Sequence, residues 1–206
     1  MYVPTSFAET DRTKLHSLMR QYSFALLTSH GAAGLVATHL PLLLDAETGP
    51  HGRLLGHMAR ANPQWRDVGD QVMAVFSGPH AYVSPTWYEE PETVPTWNYV
   101  AVHAYGTFQI VDDPDALRAI LRRSVAEYEG PRPSPWAFDA SEAYVEKMLK
   151  AIVGFRIDIE RLEGKWKLSQ NHPETLRRRV FHALEAQGDE ASRAVAALMR
   201  ERSATA

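Results

Sequence analysis

The chain has 206 residues, 45% of them apolar and 23% charged, which is the composition of an ordinary globular protein. It contains no cysteine, so disulfides, thiolate metal sites, iron-sulfur clusters and cysteine nucleophiles are excluded. A net charge of -3 gives no general attraction to nucleic acid. Because no apolar run reaches the roughly 18 residues of a membrane span and residues 1–4 lack a signal-peptide pattern, we expect a cytoplasmic protein.

The first third of the chain predicts a helix followed by short strands. Thr10 and Asp11 are typical of a helix cap, and apolar side chains then recur at helical spacing up to Tyr22. Asn62 and Pro63 predict the start of a second helix. Alternation, or a short apolar run between turn residues, predicts strands at 24–29, 35–44, 52–58 and 72–76.

Prolines interrupt the stretch from Gly78 to Thr96. Since proline cannot donate a hydrogen bond to a neighbouring strand, this stretch should not form a regular central strand. We predict a long ordered loop instead, and such loops in compact domains often carry function. It is our candidate for a lid or ligand wall.

The rest of the chain predicts an alternating strand, a half-buried strand and four helices. Between 99 and 111 the apolar residues fall on one face, while His103 and Tyr105 lie on the other face. The strand at 155–162 turns at Gly164 into a further extended segment. Asp113 and Pro114 predict the start of a helix at 114–128, and further helices are predicted at 141–150, 173–186 and 189–200.

Strands separated by long spacers and isolated helices favour an α+β fold, an antiparallel β-barrel with peripheral helices. We assign residues 1–172 to a cofactor-binding barrel domain with inserted helices. Residues 173–206 are assigned to a C-terminal helical extension packed on the same domain. The sequence lacks the glycine motifs of dinucleotide, phosphate-loop and serine-hydrolase sites, and it has no His-Glu-x-x-His zinc motif.

Residues 56–106 concentrate three of the five tryptophans together with histidines, tyrosines and asparagines. Aromatic rings interleaved with hydrogen-bonding groups suit the wall of a site for a flat ligand. This part of the chain therefore predicts a binding site more clearly than it predicts a reaction.

Four motifs stand out after an opening MYVP: GHMARANPQW at 56–65, GPHAYVSP at 78–85, VPTWNY at 94–99 and GKWKLSQN at 164–171. In this order they resemble the PaiB family, labelled FMN-binding negative transcriptional regulators. The resemblance implies a split β-barrel of the pyridoxamine-phosphate-oxidase type, a homodimer and a cofactor pocket at the subunit interface. Haem-dependent piperazate synthases, which join two nitrogens of an N-hydroxylated ornithine, also resemble this family.

FMN requires a phosphate site and a surface for its flat ring. Lys165, Lys167 and Ser169 occupy alternating positions of one extended segment, so the three side chains are placed to face one anion. Arg60 offers a further positive charge. The alternative is that both lysines are solvated charges at the end of a strand.

Haem b requires an axial ligand, most often histidine, and cationic groups for its propionates. His57 is the candidate for this metal ligand because it ends a predicted strand, with Arg60 near enough to meet a propionate. The alternative is a buried histidine satisfied by a backbone carbonyl. The residues leave open FMN, haem or no cofactor, and they leave open whether the protein is an enzyme.

Further candidates come from the same aromatic stretch. His103 and Tyr105 are the candidate catalytic residues, since a histidine titrates near neutral pH and suits proton transfer. Trp97 is equally consistent with a plug in a subunit interface. The remaining candidates for contact with a planar cofactor are Asn62, Trp65, Tyr82, Trp97 and Asn98.

A regulator that binds DNA is a separate hypothesis. The last two helices resemble a helix-turn-helix, but Asp189 and Glu190 would present carboxylates to phosphate at the start of the recognition helix. We therefore predict weak or no specific DNA binding, and any regulation would be indirect.

Overall fold

The computed structural model describes residues 1–69, 71–136 and 141–204. The helices in this part of the chain are α1 (Arg12–Gln21), α2 (Pro114–Glu129), α3 (Glu142–Lys150), α4 (Glu174–Gln187) and α5 (Glu190–Ala204). Its strands are β1 (Ala8–Glu9), β2 (Phe24–Gly31), β3 (Gly34–Pro41), β4 (Leu43–Asp45), β5 (Arg53–Ala59), β6 (Val72–Val83), β7 (Thr96–Val111) and β8 (Ile152–Lys167).

The eight strands form one antiparallel sheet, which confirms the predicted sheet type. The strand order is β3-β2-β6-β7-β8-β5-β4, and β1 pairs with β8 away from this path. The β2-β3 hairpin sets Leu27 opposite Thr38, and β5 runs along β8 with His57 opposite Gly154. Since side chains alternate along a strand, this register fixes which residues of β5 and β8 share a face.

The chain divides into two compact units. The first unit contains Met1–Leu18, Phe76–His103 and Glu163–Ala206, and the second contains Met19–Val75 and Ala104–Leu162. Strands β6, β7 and β8 each contribute residues to both units, while α4 and α5 belong to the first. No helix in the described residues is long and apolar enough to cross a membrane.

The predicted loop at 78–96 is wrong over its first part, because β6 continues to Val83. The described pairing of β6 with β2 covers Val72 to Val75, so Pro79 lies beyond it. Proline is tolerated in a strand at positions where no neighbouring strand needs a hydrogen bond from its backbone nitrogen. Only the remainder, with a short 3-10 helix at Pro85–Tyr88, connects β6 to β7.

Gly164 does not turn the chain, contrary to the prediction. It lies inside β8 opposite Glu9 of β1. A Cβ atom at Gly164 would come within 2.2 Å of a methyl carbon of Leu15, so the glycine allows α1 to pack against the strand.

The predicted caps explain two helix starts. Asn62 caps a 3-10 helix at Pro63–Arg66, where its side-chain oxygen accepts a hydrogen bond from the Gln64 N–H at 3.0 Å. Asp113 caps α2 in the same way, accepting from the Asp115 N–H at 3.2 Å, with Pro114 in the first helical position.

Candidate cofactor site

A cavity of about 260 Å³ lies in the first unit and contains two of the predicted cofactor residues, Lys167 and Ser169. The end of β8, the start of β7 and the segment after β8 supply most of its polar lining. Its lining residues are Phe7, Tyr88, Glu92, Thr93, Val94, Thr96, Lys167, Ser169, Asn171 and His172. We call this the Lys167 cavity.

Lys167 is held in place by the start of β7. Its ammonium group donates to the Thr96 hydroxyl at 2.5 Å and to the Trp97 carbonyl at 2.7 Å. Burial lowers the pKa of Lys167, and the positive charge of Lys165 lowers it further. An anion in the cavity would favour the charged form of Lys167 and would itself be attracted to it.

Ser169 is fixed by a buried side-chain network. The Asn98 amide donates to the Ser169 hydroxyl oxygen at 3.0 Å, and the Tyr88 hydroxyl lies 3.5 Å from the same oxygen. Asn98 has 0% exposed surface, so it serves here to position Ser169. Ser169 adopts a left-handed backbone conformation with φ of 63°, which is unusual for a residue other than glycine.

His172 also lines the cavity, and its sequence position gave no motif that marked it. Its ring packs against Tyr88 with 4.7 Å between the ring centroids. Burial lowers the pKa of His172, and the charge of Lys167 adds to this effect. A neutral imidazole beside a cation can donate one hydrogen bond without adding charge.

Lys165 has a different environment from Lys167 and is not part of the cavity lining. It is largely buried, and its ammonium donates to the Tyr2 carbonyl at 3.0 Å. The same ammonium lies 5.6 Å from the Tyr2 ring centre and 5.2 Å from that of Tyr99. The structure thus groups Lys167 with Ser169 and places Lys165 with aromatic rings.

Three aromatic side chains cluster on the surface of the first unit. Trp97 is 53% exposed and Tyr82 is 44% exposed, with their ring centroids 5.9 Å apart in an edge-on arrangement. The His80 ring lies 6.2 Å from Trp97. The Trp97 carbonyl accepts a hydrogen bond from Lys167, which lines the cavity, so the aromatic surface lies next to the Lys167 cavity.

His57 lies in the second unit on a partly exposed face of β5. Burial lowers the pKa of His57, which keeps its imidazole neutral. None of the hydrogen bonds among the described residues involves this imidazole. Leu117 of α2 closely approaches Gly154, the residue opposite His57 on β8.

Arg60 and Trp65 support one another near α3. The Arg60 guanidinium donates to the carbonyls of Lys150 and Ile152, each at 2.8 Å, and lies 5.9 Å from the Trp65 ring centre. The Trp65 indole donates to the Arg60 carbonyl at 3.1 Å. These contacts give both residues a structural role.

Asn62 likewise has structural partners on both sides of its amide. Its oxygen caps the 3-10 helix, and its nitrogen donates to the Thr38 hydroxyl at 3.0 Å. Hydrogen bonds within the protein therefore account for Asn62. Its contact with a cofactor stays a prediction.

The predicted catalytic residues His103 and Tyr105 are two positions apart on β7. Burial lowers the pKa of His103, and the positive charge of the chain's N-terminus contributes. The guanidinium carbon of Arg161 lies over the Tyr105 ring, 3.7 Å from the ring centre. Among the residues described, no three His, Asp or Glu side chains group as a metal site.

The helix pair at the end of the chain has a packing role. Asp189 caps α5, accepting from the Ser192 N–H at 2.9 Å, and hydrogen bonding to Ser192 lowers the pKa of Asp189. Val195 and Met199 are buried, so this face of α5 belongs to the core.

Comparison with known proteins places this fold among split barrels of the pyridoxamine-phosphate-oxidase type, as predicted. The FAD and haem binding protein from Mycobacterium smegmatis has a TM-score of 0.57 at 16% identity, covering 78% of this chain and 73% of that one. The flavocytochrome Anf3 from Azotobacter vinelandii has a TM-score of 0.57 at 14% identity, covering 78% and 69%.

Sequence relatives show the family. "Protease synthase and sporulation protein PAI 2" from Bacillus subtilis is 36% identical over 205 residues, 98% of this chain and 98% of the relative. The family model described as "Putative FMN-binding domain" matches residues 1–161. The resemblance to the PaiB family is thereby confirmed, and the chain belongs to this FMN-binding domain family.

Proposed function

We propose that this protein binds FMN and that the Lys167 cavity holds its phosphate. The observation that carries the proposal is the grouping of one desolvated ammonium with two hydroxyls and an imidazole around a cavity of about 260 Å³. Phosphate oxygens accept hydrogen bonds from ammonium, hydroxyl and imidazole N–H groups, and the bonds from a charged donor are the stronger ones. The family description supports the same cofactor.

The donors fit a phosphate group. Lys167 supplies the charge, Thr96 supplies a hydroxyl and His172 supplies a ring N–H. The Ser169 hydroxyl donates to the Asn98 side-chain oxygen at 3.3 Å and would have to turn toward the phosphate. Glu92, an exposed carboxylate on the lining, opposes the anion and would have to remain in solvent.

The aromatic surface of Trp97 and Tyr82 suits either the flavin ring or a second subunit. Exposed tryptophan and tyrosine are enriched in protein interfaces. We propose that this surface lies in a homodimer interface, so that the ring of the cofactor is covered by the partner subunit. A shift from dimer to monomer in Trp97→Ala, measured by sedimentation, would support this, and an unchanged dimer would count against it.

A bound flavin supplies hydride or electron transfer to a small substrate. His103 is the proposed proton donor or acceptor, because burial lowers its pKa and favours the neutral imidazole, whose two ring nitrogens are one donor and one acceptor.

A second proposal is that haem b binds with His57 as axial ligand, as in an enzyme of piperazate-synthase type. The specific support is a neutral imidazole that none of the hydrogen bonds among the described residues uses. Arg60 gives this proposal less support than the sequence suggested, because its guanidinium already donates to two backbone carbonyls. The FAD and haem binding protein from Mycobacterium smegmatis has the same fold.

A third proposal, of another class, is indirect transcriptional regulation through a bound small molecule. Asp189 and Glu190 at the start of α5 oppose contact with phosphate, which supports a role without direct DNA binding. A salt-dependent and sequence-specific gel shift with the purified protein would overturn this.

Titration of the cofactor-free protein with FMN and, separately, with haem tests the proposals. We expect flavin fluorescence to report FMN binding that is about tenfold or more weaker in Lys167→Gln. Lys147→Gln changes an exposed lysine of α3 and should bind like the wild type. An FMN affinity that is the same in Lys167→Gln as in the wild type, or no FMN binding at all, would reject the phosphate site. A Soret band that is lost in His57→Ala would establish the haem proposal instead.

A further inference from the structure

A second cavity of about 260 Å³ lies in the first unit, lined by α4, α5 and the segment that follows β8. It shares no lining residue with the Lys167 cavity. Four arginines line it, namely Arg177 and Arg178 of α4 with Arg200 and Arg202 of α5. We call it the α4-α5 pocket.

The charge of this pocket is only partly balanced. Arg200 pairs with Glu185 at 2.6 Å, and Arg202 pairs with Glu9 at 3.3 Å. Glu174 is the acidic residue of the lining, against four arginines. With Glu174 set against Arg177 and Arg178, one positive charge is left in excess, so the pocket attracts an anion.

Arg177 adds an independent observation. Its Nε atom is buried and has no hydrogen-bond partner among the described residues. Buried donors of this kind are rare in folded proteins because an unpaired donor loses its bonds to water. A bound ligand that accepts a hydrogen bond from the Arg177 Nε–H is the simplest physical explanation of this unpaired donor.

Besides the charged residues, Gln170 and His182, the lining is apolar. Leu168 and Met199 are buried, and the Phe181 ring lies beneath the Arg200 guanidinium, 5.0 Å from it. Inorganic phosphate would leave these surfaces uncovered, whereas a ligand with an apolar body would cover them. Arginine forks match a carboxylate through two parallel hydrogen bonds.

We propose that the α4-α5 pocket binds an organic carboxylate with an apolar body, such as a medium-chain fatty acid. The carboxylate accepts hydrogen bonds from Arg177 and Arg178, and the chain packs on Phe181, Leu168 and Met199. This site is separate from the proposed FMN site and does not depend on it.

Calorimetric titration with octanoate, 1-octanol and inorganic phosphate tests the proposal. We expect octanoate to bind more tightly than either control, because each control lacks one half of the ligand. Equal binding of 1-octanol would show that the arginines do not select an anion, and equal binding of phosphate would show that the apolar wall contributes nothing. Either result, or no octanoate binding up to about 10 mM, overturns the proposal.

Variants separate the two arginines from general effects of charge. Arg177→Gln and Arg178→Gln should each weaken octanoate binding about tenfold or more. Arg177→Lys keeps the charge but loses the Nε donor, so it should also weaken binding. Arg122→Gln changes an exposed arginine of α2 and should bind like the wild type. Unchanged affinity in all three pocket variants would refute the site.

Discussion

The buried Asn98 amide lies 3.0 Å from the Ser169 hydroxyl oxygen, and this contact fixes the backbone that carries the Lys167 cavity. Ser169 has φ of 63°, so the chain leaves β8 through a left-handed residue. His172 follows three residues later and its N–H donates to the Ser169 carbonyl at 3.0 Å. Asn98 thus positions two cavity residues without lining the cavity itself.

Substitution of Ser169 separates its hydroxyl from its backbone conformation. Ser169→Ala removes the hydroxyl that exchanges hydrogen bonds with the buried Asn98 side chain and leaves the Asn98 nitrogen only the Met199 sulfur, 3.6 Å away. We therefore expect a loss of about 1–3 kcal/mol in the free energy of unfolding. Ser169→Gly loses the same hydroxyl but relieves the left-handed conformation, and should be about 1 kcal/mol more stable than Ser169→Ala. Urea unfolding measures both. If Ser169→Gly is the less stable variant, the backbone conformation is not a source of strain.

The affinity for FMN should depend on pH through Lys167. Burial lowers the pKa of Lys167, so raising the pH removes its charge earlier than for an ordinary lysine. We expect the affinity for FMN to fall as the pH rises from about 7 toward 10, and the profile of Lys167→Gln to be flatter.

Riboflavin is the matched control for this profile, because it has the same ring system without the phosphate. Its affinity should follow the same pH curve in the wild type and in Lys167→Gln. A steep fall for riboflavin that also disappears in Lys167→Gln would place Lys167 beside the ring and not beside the phosphate.

Local patterns predicted what depends on local physics. The strand alternation of β7 and the caps at Asn62 and Asp113 follow from side-chain spacing and from the hydrogen bonds of neighbouring backbone groups. The continuation of β6 through Pro79 could not be predicted in this way. Proline has no N–H, and whether the sheet needs a donor at that position depends on pairing with a distant part of the chain.

The residues of the candidate cofactor site could be predicted only in part, because a long side chain can reach partners far away in the sequence. Lys165 and Lys167 differ by two positions, yet Lys165 donates to the Tyr2 carbonyl and Lys167 to the start of β7. Both acceptors come from elsewhere in the chain, so spacing alone could not assign them. His172 gave no signal in the sequence, since its place beside Tyr88 depends on the turn at Ser169.

Three half-buried histidines should make the protein sensitive to mild acid. The pKa values of His57, His103 and His172 are lowered, mainly by burial, so the unfolded chain binds protons first as the pH falls below 6.5. Stability is therefore fully present above that pH and declines between about 6.5 and 5, where most carboxylates remain ionised.

Thermal unfolding across this pH range checks the histidine prediction. His57→Gln should reduce the slope of stability against pH. His39→Gln, at an exposed position of β3, is the control and should leave the slope unchanged. A slope that persists when all three half-buried histidines are replaced by glutamine would assign the acid sensitivity to other groups.

Gly56 should not tolerate a side chain, although its position in β5 has ordinary strand geometry. A Cβ atom there would lie 2.7 Å from Phe155 and 2.9 Å from Leu42, both of which are fully buried. We expect Gly56→Ala to lower the free energy of unfolding by about 1–3 kcal/mol, because the packed ring and methyl group must shift. Phe155→Leu should recover part of this loss in the double variant, since it removes the ring atoms nearest to Gly56. If denaturant unfolding shows that the two substitutions are simply additive, the clash with Phe155 does not determine the glycine at this position.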